Sequence, residues 1–220
     1  MNHHRIRFED LGIRMMRIEE SYLSVSGFFD LWVRLIELRT RKMEVKDSKI
    51  QDSRILIISP PTDRGIKILS QANQRGESYL LCFSDTLGKI AKEYSLRHGI
   101  ENLEICVKPF FSVPFDDNYF DVVFANCFFD FFQESRFNDV IEEIKRTLKP
   151  RGLLFSVYMD IPRDLIGRMW ASFFSRFPSL SQGCRPVDIV PFLSRWDFEL
   201  KRDLTIKRLG FPIRYLIAEK

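Results

Sequence analysis

The sequence predicts a single α/β domain whose sheet is mostly parallel and carries helices on both faces. Short apolar runs alternate with helical segments along most of the chain, an order typical of right-handed βαβ units. The last two apolar runs follow each other closely, which predicts an antiparallel hairpin at the edge of the sheet. The chain has 220 residues, 45% of them hydrophobic and 29% charged, and this suits one domain with a full core.

The beginning of the chain has a different apolar pattern from the rest. Between residues 26 and 45, apolar side chains recur every three or four positions, which predicts an amphipathic helix. A polar stretch at 46–53 follows. We therefore divide the chain into an N-terminal helical extension at 1–50 and an α/β domain at 51–220.

Seven strands are predicted within the α/β domain. The first five are short apolar runs, as expected of strands buried on both faces, at 54–59, 79–83, 103–107, 120–125 and 153–158. The last two, at 198–206 and 213–218, form the terminal hairpin. Helices are predicted at 64–75, from Ser84 or Asp85 to about 98, at 134–148, 165–177 and 186–195. On the third of these, Glu142, Glu143, Lys145 and Arg146 are interpreted as a solvated charged face.

Composition and charge exclude several classes of function. The net charge is only +4 and the basic residues are dispersed without interleaved aromatic residues, so a nucleic-acid partner is not predicted. A modest basic cluster at Arg34, Arg39, Arg41 and Lys42 leaves a membrane-surface role for the N-terminus as an alternative. Neither a signal peptide nor an apolar run of about 18 residues is found, so we expect a cytoplasmic protein without transmembrane segments.

The four cysteines lie far apart and form no CxxC pair. Cys82, Cys106 and Cys127 fall in apolar, strand-like runs, whereas Cys184 lies elsewhere. This pattern predicts reduced thiols and favours neither a disulfide framework nor a zinc site. No metal is therefore expected.

Two segments carry a resemblance to a known family. They read VPFDDNYFDVVFAN at 113–126 and VIEEIKRTLKPRGLLF at 140–155. Both resemble class I S-adenosylmethionine (SAM)-dependent methyltransferases of the small-molecule type that includes ubiquinone- and menaquinone-biosynthesis enzymes. That family reads L-P-F-x-D-x-S-F-D-x-V before its fourth strand and E-I-x-R-x-L-K-P-G-G before its fifth. The resemblance covers 54–158 well and implies a Rossmann-like fold with a seven-stranded sheet.

The resemblance also implies where a cofactor would be held. In this fold, ligands bind at the carboxyl ends of the strands, at the point where the strand order reverses. The positions implied to contact SAM are Ser59, Thr62, Asp63, Cys82, Ser84, Asp85, Phe110 and Asn126. The implied substrate pocket contains Phe29, Asp30, Phe128 and Phe129.

The chain departs from the family's pattern at each of these contacts. The family's first loop is rich in glycine, but here Pro60 and Pro61 replace flexible residues with rigid ones that lack an N–H donor. Cys82 stands where the family has the acid that binds ribose, and Pro109 stands where it has the aspartate that binds adenine. The paired histidine after the fourth strand is replaced by Asp130 and Phe131.

Two residues are candidates for catalysis. Asn126 ends the fourth predicted strand, where it would orient a substrate or simply form a strand-end turn. Asp130 lies among phenylalanines, and a carboxylate in apolar surroundings can serve as a general base. The alternative for Asp130 is a helix cap that points to water.

Two functions stay open. The first is SAM-dependent methyl transfer to a small or lipophilic acceptor. The second is an inactive methyltransferase fold that has lost SAM, holds no cofactor and acts as a binding or scaffold module. A protein partner or a homodimer is compatible with either function.

Overall fold

The structure is a computed structural model that describes residues 40–108, 113–177, 185–208 and 210–220. Its first described element is helix α1 at 40–48. Most of the predicted N-terminal extension, including Phe29 and Asp30, lies outside the described residues, so its boundary with the following domain stays a prediction.

The described residues form one seven-stranded sheet. Its strands are β1 Arg54–Ile58, β2 Glu77–Cys82, β3 Leu103–Val107, β4 Phe120–Asn126, β5 Leu148–Met159, β6 Glu199–Arg208 and β7 Phe211–Glu219. Their spatial order is β3-β2-β1-β4-β5-β7-β6. The first five strands are parallel to each other, whereas β7 runs antiparallel to both β5 and β6. The predicted fold, including the terminal hairpin, is confirmed.

Helices pack against both faces of the sheet because its central strands are apolar on both sides. The helices after α1 are α2 Arg64–Ala72, α3 Asp85–His98, α4 Phe137–Thr147, α5 Leu165–Arg176 and α6 Val190–Arg195. Within β1, Leu56 and Ile58 join the core that contains α4 and α6. Ile55 and Ile57 join the core that contains α1, α2, α3 and α5. This alternation follows from the two-residue period of a strand.

Side-chain caps explain where two of the helices begin or end. The α2 helix ends at Ala72, three residues earlier than predicted, because the side chain of Asn73 turns back to the start of β1. Its amide nitrogen donates to the Ser53 carbonyl at 2.9 Å, and its amide oxygen accepts from the Ser53 N–H at 3.0 Å. At the start of α3, Ser84 is the cap and accepts from the Leu87 N–H.

The region around α4 differs from the prediction in two ways. Residues 134–136 form a separate 3-10 turn, and the helix itself begins at Phe137. In the sequence, Pro150 and Gly152 predict a break between the helix at 134–148 and the strand at 153–158. Instead β5 begins at Leu148, which pairs with Phe120 ahead of a register shift in the β4–β5 ladder.

The prediction of a solvated face at 142–146 is wrong for Glu143 and Arg146. Arg146 donates to the carbonyls of Val113 and Phe115 at 3.1 and 2.9 Å, and Glu143 accepts from the Val113 N–H at 2.9 Å. The two side chains also form an ion pair at 2.7 Å. This family-pattern pair therefore holds the loop that leads into β4.

Replacing Arg146 with methionine should lower the free energy of unfolding by roughly 2 to 3 kcal/mol, because two carbonyls and two carboxylates lose a charged donor. Arg97 lies exposed in the last turn of α3 and offers a matched control. Urea titrations of Arg146→Met and Arg97→Met would measure the difference. Equal stabilities of the two variants would show that the contacts of Arg146 with Glu143 and with the loop before β4 contribute nothing to stability.

Candidate functional site

The candidate site lies where the strand order reverses, between β1 and β4. The chain leaves β1 towards α2 on one face of the sheet and leaves β4 towards α4 on the other. Ile58, the last residue of β1, pairs with Ala125, so Asn126 lies just beyond the end of β1. A crevice at this position is the usual ligand site of open α/β sheets.

The loop after β1 satisfies its own backbone. The Asp63 N–H donates to the Pro60 carbonyl at 3.0 Å, and the Asp63 carboxylate accepts from the Gly65 N–H at 2.7 Å as the cap of α2. Thr62 lies half-buried within this turn, and the Ser59 hydroxyl is 3.4 Å from the Pro60 carbonyl. The N–H groups of Asp63 and Gly65, at the start of α2, are thus already engaged.

A buried arginine from α1 reaches this loop. Arg41 contacts the Asp63 carboxylate through two nitrogens, at 2.7 and 3.2 Å, and its third nitrogen lies 3.2 Å from the Glu44 carboxylate. All three side chains are almost fully buried. A Cβ at Gly65 would lie 2.8 Å from Arg41 atoms, so the glycine makes room for the arginine. We call Arg41, Glu44 and Asp63 the α1 ion cluster.

This placement changes two predictions. Arg41 was expected in a basic surface cluster but is buried among carboxylates. Asp63 was expected to hold a cofactor but already caps α2 and pairs with Arg41. The guanidinium of Arg41 makes two parallel contacts with the Asp63 carboxylate, so this carboxylate is satisfied without a ligand.

Electrostatics within the α1 ion cluster leave Glu44 close to half-protonated at neutral pH. Burial raises the pKa of the Glu44 carboxyl to about 7, even though the Arg41 charge lowers it; the Asp63 charge adds to the rise and the Asn126 amide opposes it. The cluster is therefore nearly neutral overall, as the low dielectric of the site requires.

Asn126, the last residue of β4, is fully buried beside this cluster. Neither atom of its amide makes a hydrogen bond of ordinary geometry, although, against the burial that raises the pKa of the Glu44 carboxyl, a weaker hydrogen bond to this amide contributes to lowering it. Cys127 forms the turn with a positive φ of 46°, so Asn126 itself is not the turn residue. A buried amide without well-formed hydrogen bonds costs free energy.

The end of β2 carries no acid. Cys82 is buried, and burial raises the pKa of its thiol to about 12, so the thiol is neutral. Ser84 uses its hydroxyl as the cap of α3, and Asp85 lies exposed in the first turn of that helix. The described residues at this strand end therefore lack a carboxylate placed to accept two ribose hydroxyls.

Aromatic side chains join the two strands that flank β1. Phe83, directly after β2, stacks on Phe128, which follows β4, with ring centroids 5.8 Å apart and planes at 23°. Phe128 and Phe129 are buried and pack edge to face at 5.4 Å, and Phe129 also packs on Phe137. The structure thus places Phe128 and Phe129, two of the four predicted pocket residues, in the core of the domain.

Asp130 is buried in a short 3-10 turn and does not face water as a cap would. Its carboxylate accepts from the Met159 N–H at 3.1 Å. This contact ties the turn after β4 to the carboxyl end of β5. The structure therefore gives Asp130 a structural role that neither interpretation of the sequence had included.

Several predicted contacts fall outside the described residues. These are Phe110, Phe29 and Asp30, together with Pro109. Their roles stay predictions.

The described residues show two further features. Cys82, Cys106 and Cys127 form no disulfide, and no group of three metal-binding side chains is found within the described ranges. No helix there is long and apolar enough to cross a membrane.

Comparison with known proteins agrees with this fold. Residues 61–156 match a family model described as a methyltransferase domain. A SAM-dependent methyltransferase from Aquifex aeolicus is similar in structure at 17% identity, with a TM-score of 0.65 over 85% of this chain and 91% of that one. A SAM-dependent methyltransferase from Methanosarcina mazei is also similar in structure, at 17% identity, with a TM-score of 0.64 over 80% of this chain and 96% of that one. Comparison with curated proteins gave no match.

The chain therefore has the Rossmann-like fold of these solved structures, as the sequence predicted, and its residues 61–156 are similar to a methyltransferase domain. The ubiquinone- and menaquinone-biosynthesis type stays a prediction. The [4+2]-cyclase SpnF is also similar, at 17% identity and a TM-score of 0.65 over 83% of this chain and 80% of that one. Because this fold carries more than one chemistry, the site must decide the function.

The described side chains do not fit SAM held in the family's manner. Arg41 packs on Gly65 and Asp63, the loop lacks the glycines that would admit a ligand, and Cys82 replaces an acid. The sequence did not point to Arg41 and Glu44, because a pair spaced by three residues on a helix is common on solvated surfaces.

The raised pKa of Glu44 predicts a specific pH dependence of stability. Its carboxyl binds a proton more tightly in the folded chain than in the unfolded one. Stability relative to Glu44→Gln should therefore fall as the pH rises from 4.5 to about 7, by up to roughly 3 kcal/mol. Denaturant titrations across this range would measure it.

Glu93 is exposed on α3, so Glu93→Gln provides the matched control and should show no such slope. A pH-independent difference between the wild type and Glu44→Gln would contradict the assignment of Glu44.

Proposed function

We propose that this protein is a methyltransferase-fold binding module that neither holds SAM nor transfers methyl groups. The observation that carries the proposal is the burial of Arg41 between Asp63 and Glu44 at the carboxyl end of β1. In this fold, a ligand would have to cross that position.

Displacing Arg41 would be costly. Removing one partner from a buried ion pair costs about 3 to 5 kcal/mol, because the other charge is left uncompensated. A ligand that displaced the arginine would therefore bind roughly a hundred- to several-thousand-fold more weakly than in a vacant site. SAM carries its own ammonium and carboxylate groups, and the engaged N–H groups of this loop offer its carboxylate little in return.

The β2 side of the site supports the same conclusion. A neutral Cys82 thiol cannot replace the charged acceptor that would bind a ribose, and the Phe83–Phe128 stack lies between the ends of β2 and β4. Breaking an aromatic pair of this kind costs about 0.5 to 1.5 kcal/mol beyond the loss of buried area. Both sides of the switch point thus oppose the cofactor.

Methyl transfer to a small or lipophilic acceptor is the second candidate. The match of residues 61–156 to a methyltransferase domain supports it, as does the Asn126 amide, which is buried without well-formed hydrogen bonds where an acceptor would lie. This function would require α1 to withdraw Arg41 from Asp63. SAM would then supply the methyl group, and Asn126 would orient the acceptor.

Calorimetry separates the two candidates. Titration of the full chain with SAM and with S-adenosylhomocysteine should give no binding heat at millimolar ligand, because the α1 ion cluster stays closed. An active SAM-dependent methyltransferase under the same conditions serves as the positive control. A dissociation constant in the micromolar range for either ligand would overturn the proposal and favour methyl transfer.

A substitution at Asn126 tests, without any ligand, whether the protein needs the Asn126 amide for its stability. Asn126→Leu should leave the free energy of unfolding unchanged or raise it by up to about 1 kcal/mol, since it removes a poorly satisfied buried amide. Asn102→Leu is the matched control: the Asn102 amide donates to the Ser70 and Asn73 carbonyls, so its loss should destabilise. Urea unfolding measures both, and a loss above about 2 kcal/mol for Asn126→Leu would contradict this expectation.

A further inference from the structure

Helix α5 exposes an apolar face. Of the nine large hydrophobic side chains that are exposed in the described part of the chain, six lie between residues 161 and 177. Leu165 is 70% exposed, Met169 63% and Phe173 40%. Ile161, Ile166 and Phe177 complete this set, which we call the α5 apolar face.

This face is distinct from the one that anchors the helix. Leu165, Met169 and Phe173 are spaced by four residues and therefore share one side of α5. Phe174 is buried, stacks on Trp170 with centroids 5.8 Å apart, and packs edge to face on Phe211 of β7. The helix is thus fixed to the sheet by one face while the other remains outward.

The charges around the α5 apolar face are almost all positive. No acidic residue occurs from 165 to 177, whereas Arg163, Arg168 and Arg176 are exposed there. Within the described ranges, Arg163 and Arg176 have no ion pair with a carboxylate, whereas Lys207 and, to a smaller extent, the Arg168 charge lower the pKa of Asp164, and the Arg168 side chain donates to the Asp164 carbonyl at 3.4 Å. The nearest acid in sequence, Asp164, caps α5 and is paired with Lys207.

We propose that this protein docks on an anionic lipid bilayer through the α5 apolar face. A helix with large apolar side chains on one side and arginines at its border is the arrangement that lies at a membrane surface. Anionic headgroups surround an inserted helix on all sides and would neutralise Arg163 and Arg176, which have no carboxylate partner among the described residues.

This docking surface does not depend on whether the domain transfers methyl groups. It also differs from the membrane contact considered for the N-terminus, since Arg41 of that basic cluster is buried in the α1 ion cluster. The surface therefore belongs to the folded α/β domain.

Vesicle sedimentation tests the apolar contribution. The full chain should sediment with vesicles of phosphatidylglycerol and phosphatidylcholine at low salt, and less with phosphatidylcholine alone. Leu165→Gln/Met169→Gln should weaken the partition coefficient roughly tenfold, because two side chains no longer enter the acyl boundary. Leu96→Gln is the matched control, since Leu96 is 74% exposed on α3 and should leave partitioning unchanged.

The charged contribution is tested separately. Arg168→Gln/Arg176→Gln should weaken partitioning into anionic vesicles about 25-fold, and added salt should reduce that difference. Arg97→Gln, on the exposed end of α3, should have no such effect. Circular dichroism would confirm that every variant is folded.

Three results would overturn the proposal. The wild type could remain in the supernatant with anionic vesicles. It could bind them while Leu165→Gln/Met169→Gln binds equally well, which would place the contact elsewhere. Sedimentation equilibrium without lipid could also show a dimer that Leu165→Gln/Met169→Gln dissociates, and the α5 apolar face would then be an interface between copies of this chain.

Discussion

The ion pair between Arg41 and Asp63 connects three parts of the domain that are far apart in sequence. It joins α1 to the loop after β1 and, through the Asp63 cap, to the start of α2. Two buried charges are tolerable only when each satisfies the other and their remaining bonds are made. Here Gly65 leaves room for the Arg41 side chain because it has no Cβ, and the Gly65 N–H donates to the Asp63 carboxylate. The third nitrogen of Arg41 donates to Glu44. The closed switch point is thus a consequence of the way α1 is attached.

The attachment of α1 continues along the sheet. Asp47 accepts from the Tyr215 hydroxyl of β7 at 2.9 Å and pairs with Arg202 of β6 at 2.6 Å. The helix is therefore held both at the switch point and at the hairpin. A domain has a net stability of only about 5 to 15 kcal/mol, so separating a buried pair at 3 to 5 kcal/mol is a large fraction of it. Spontaneous withdrawal of α1 would accordingly be rare.

The sequence predicted the fold because its signals were local. A few neighbouring residues are enough to recognise a buried run such as 54–58, the two strands at the end of the chain, or the end of a helix at Gly99. The family pattern around Glu143 and Arg146 placed the right residues, but their role depends on carbonyls 30 or more positions away. The α1 ion cluster has the same property, since no local pattern marks Arg41 as buried. Asp130 was located correctly among phenylalanines, yet only the fold brings Met159 to it.

The proposed loss of the SAM site and the exposure of an apolar face have different energetic consequences. The proline loop, Cys82 and the aromatic stack are compatible with a stable domain because the protein's own groups replace the contacts of a ligand. Exposed Leu165 and Met169 contribute little to folding, because apolar area that remains in water gives no transfer free energy. That free energy becomes available only when another apolar phase covers the helix. A domain with a closed switch point and such a face therefore has more to gain from a contact on its outer surface than from a ligand in its crevice.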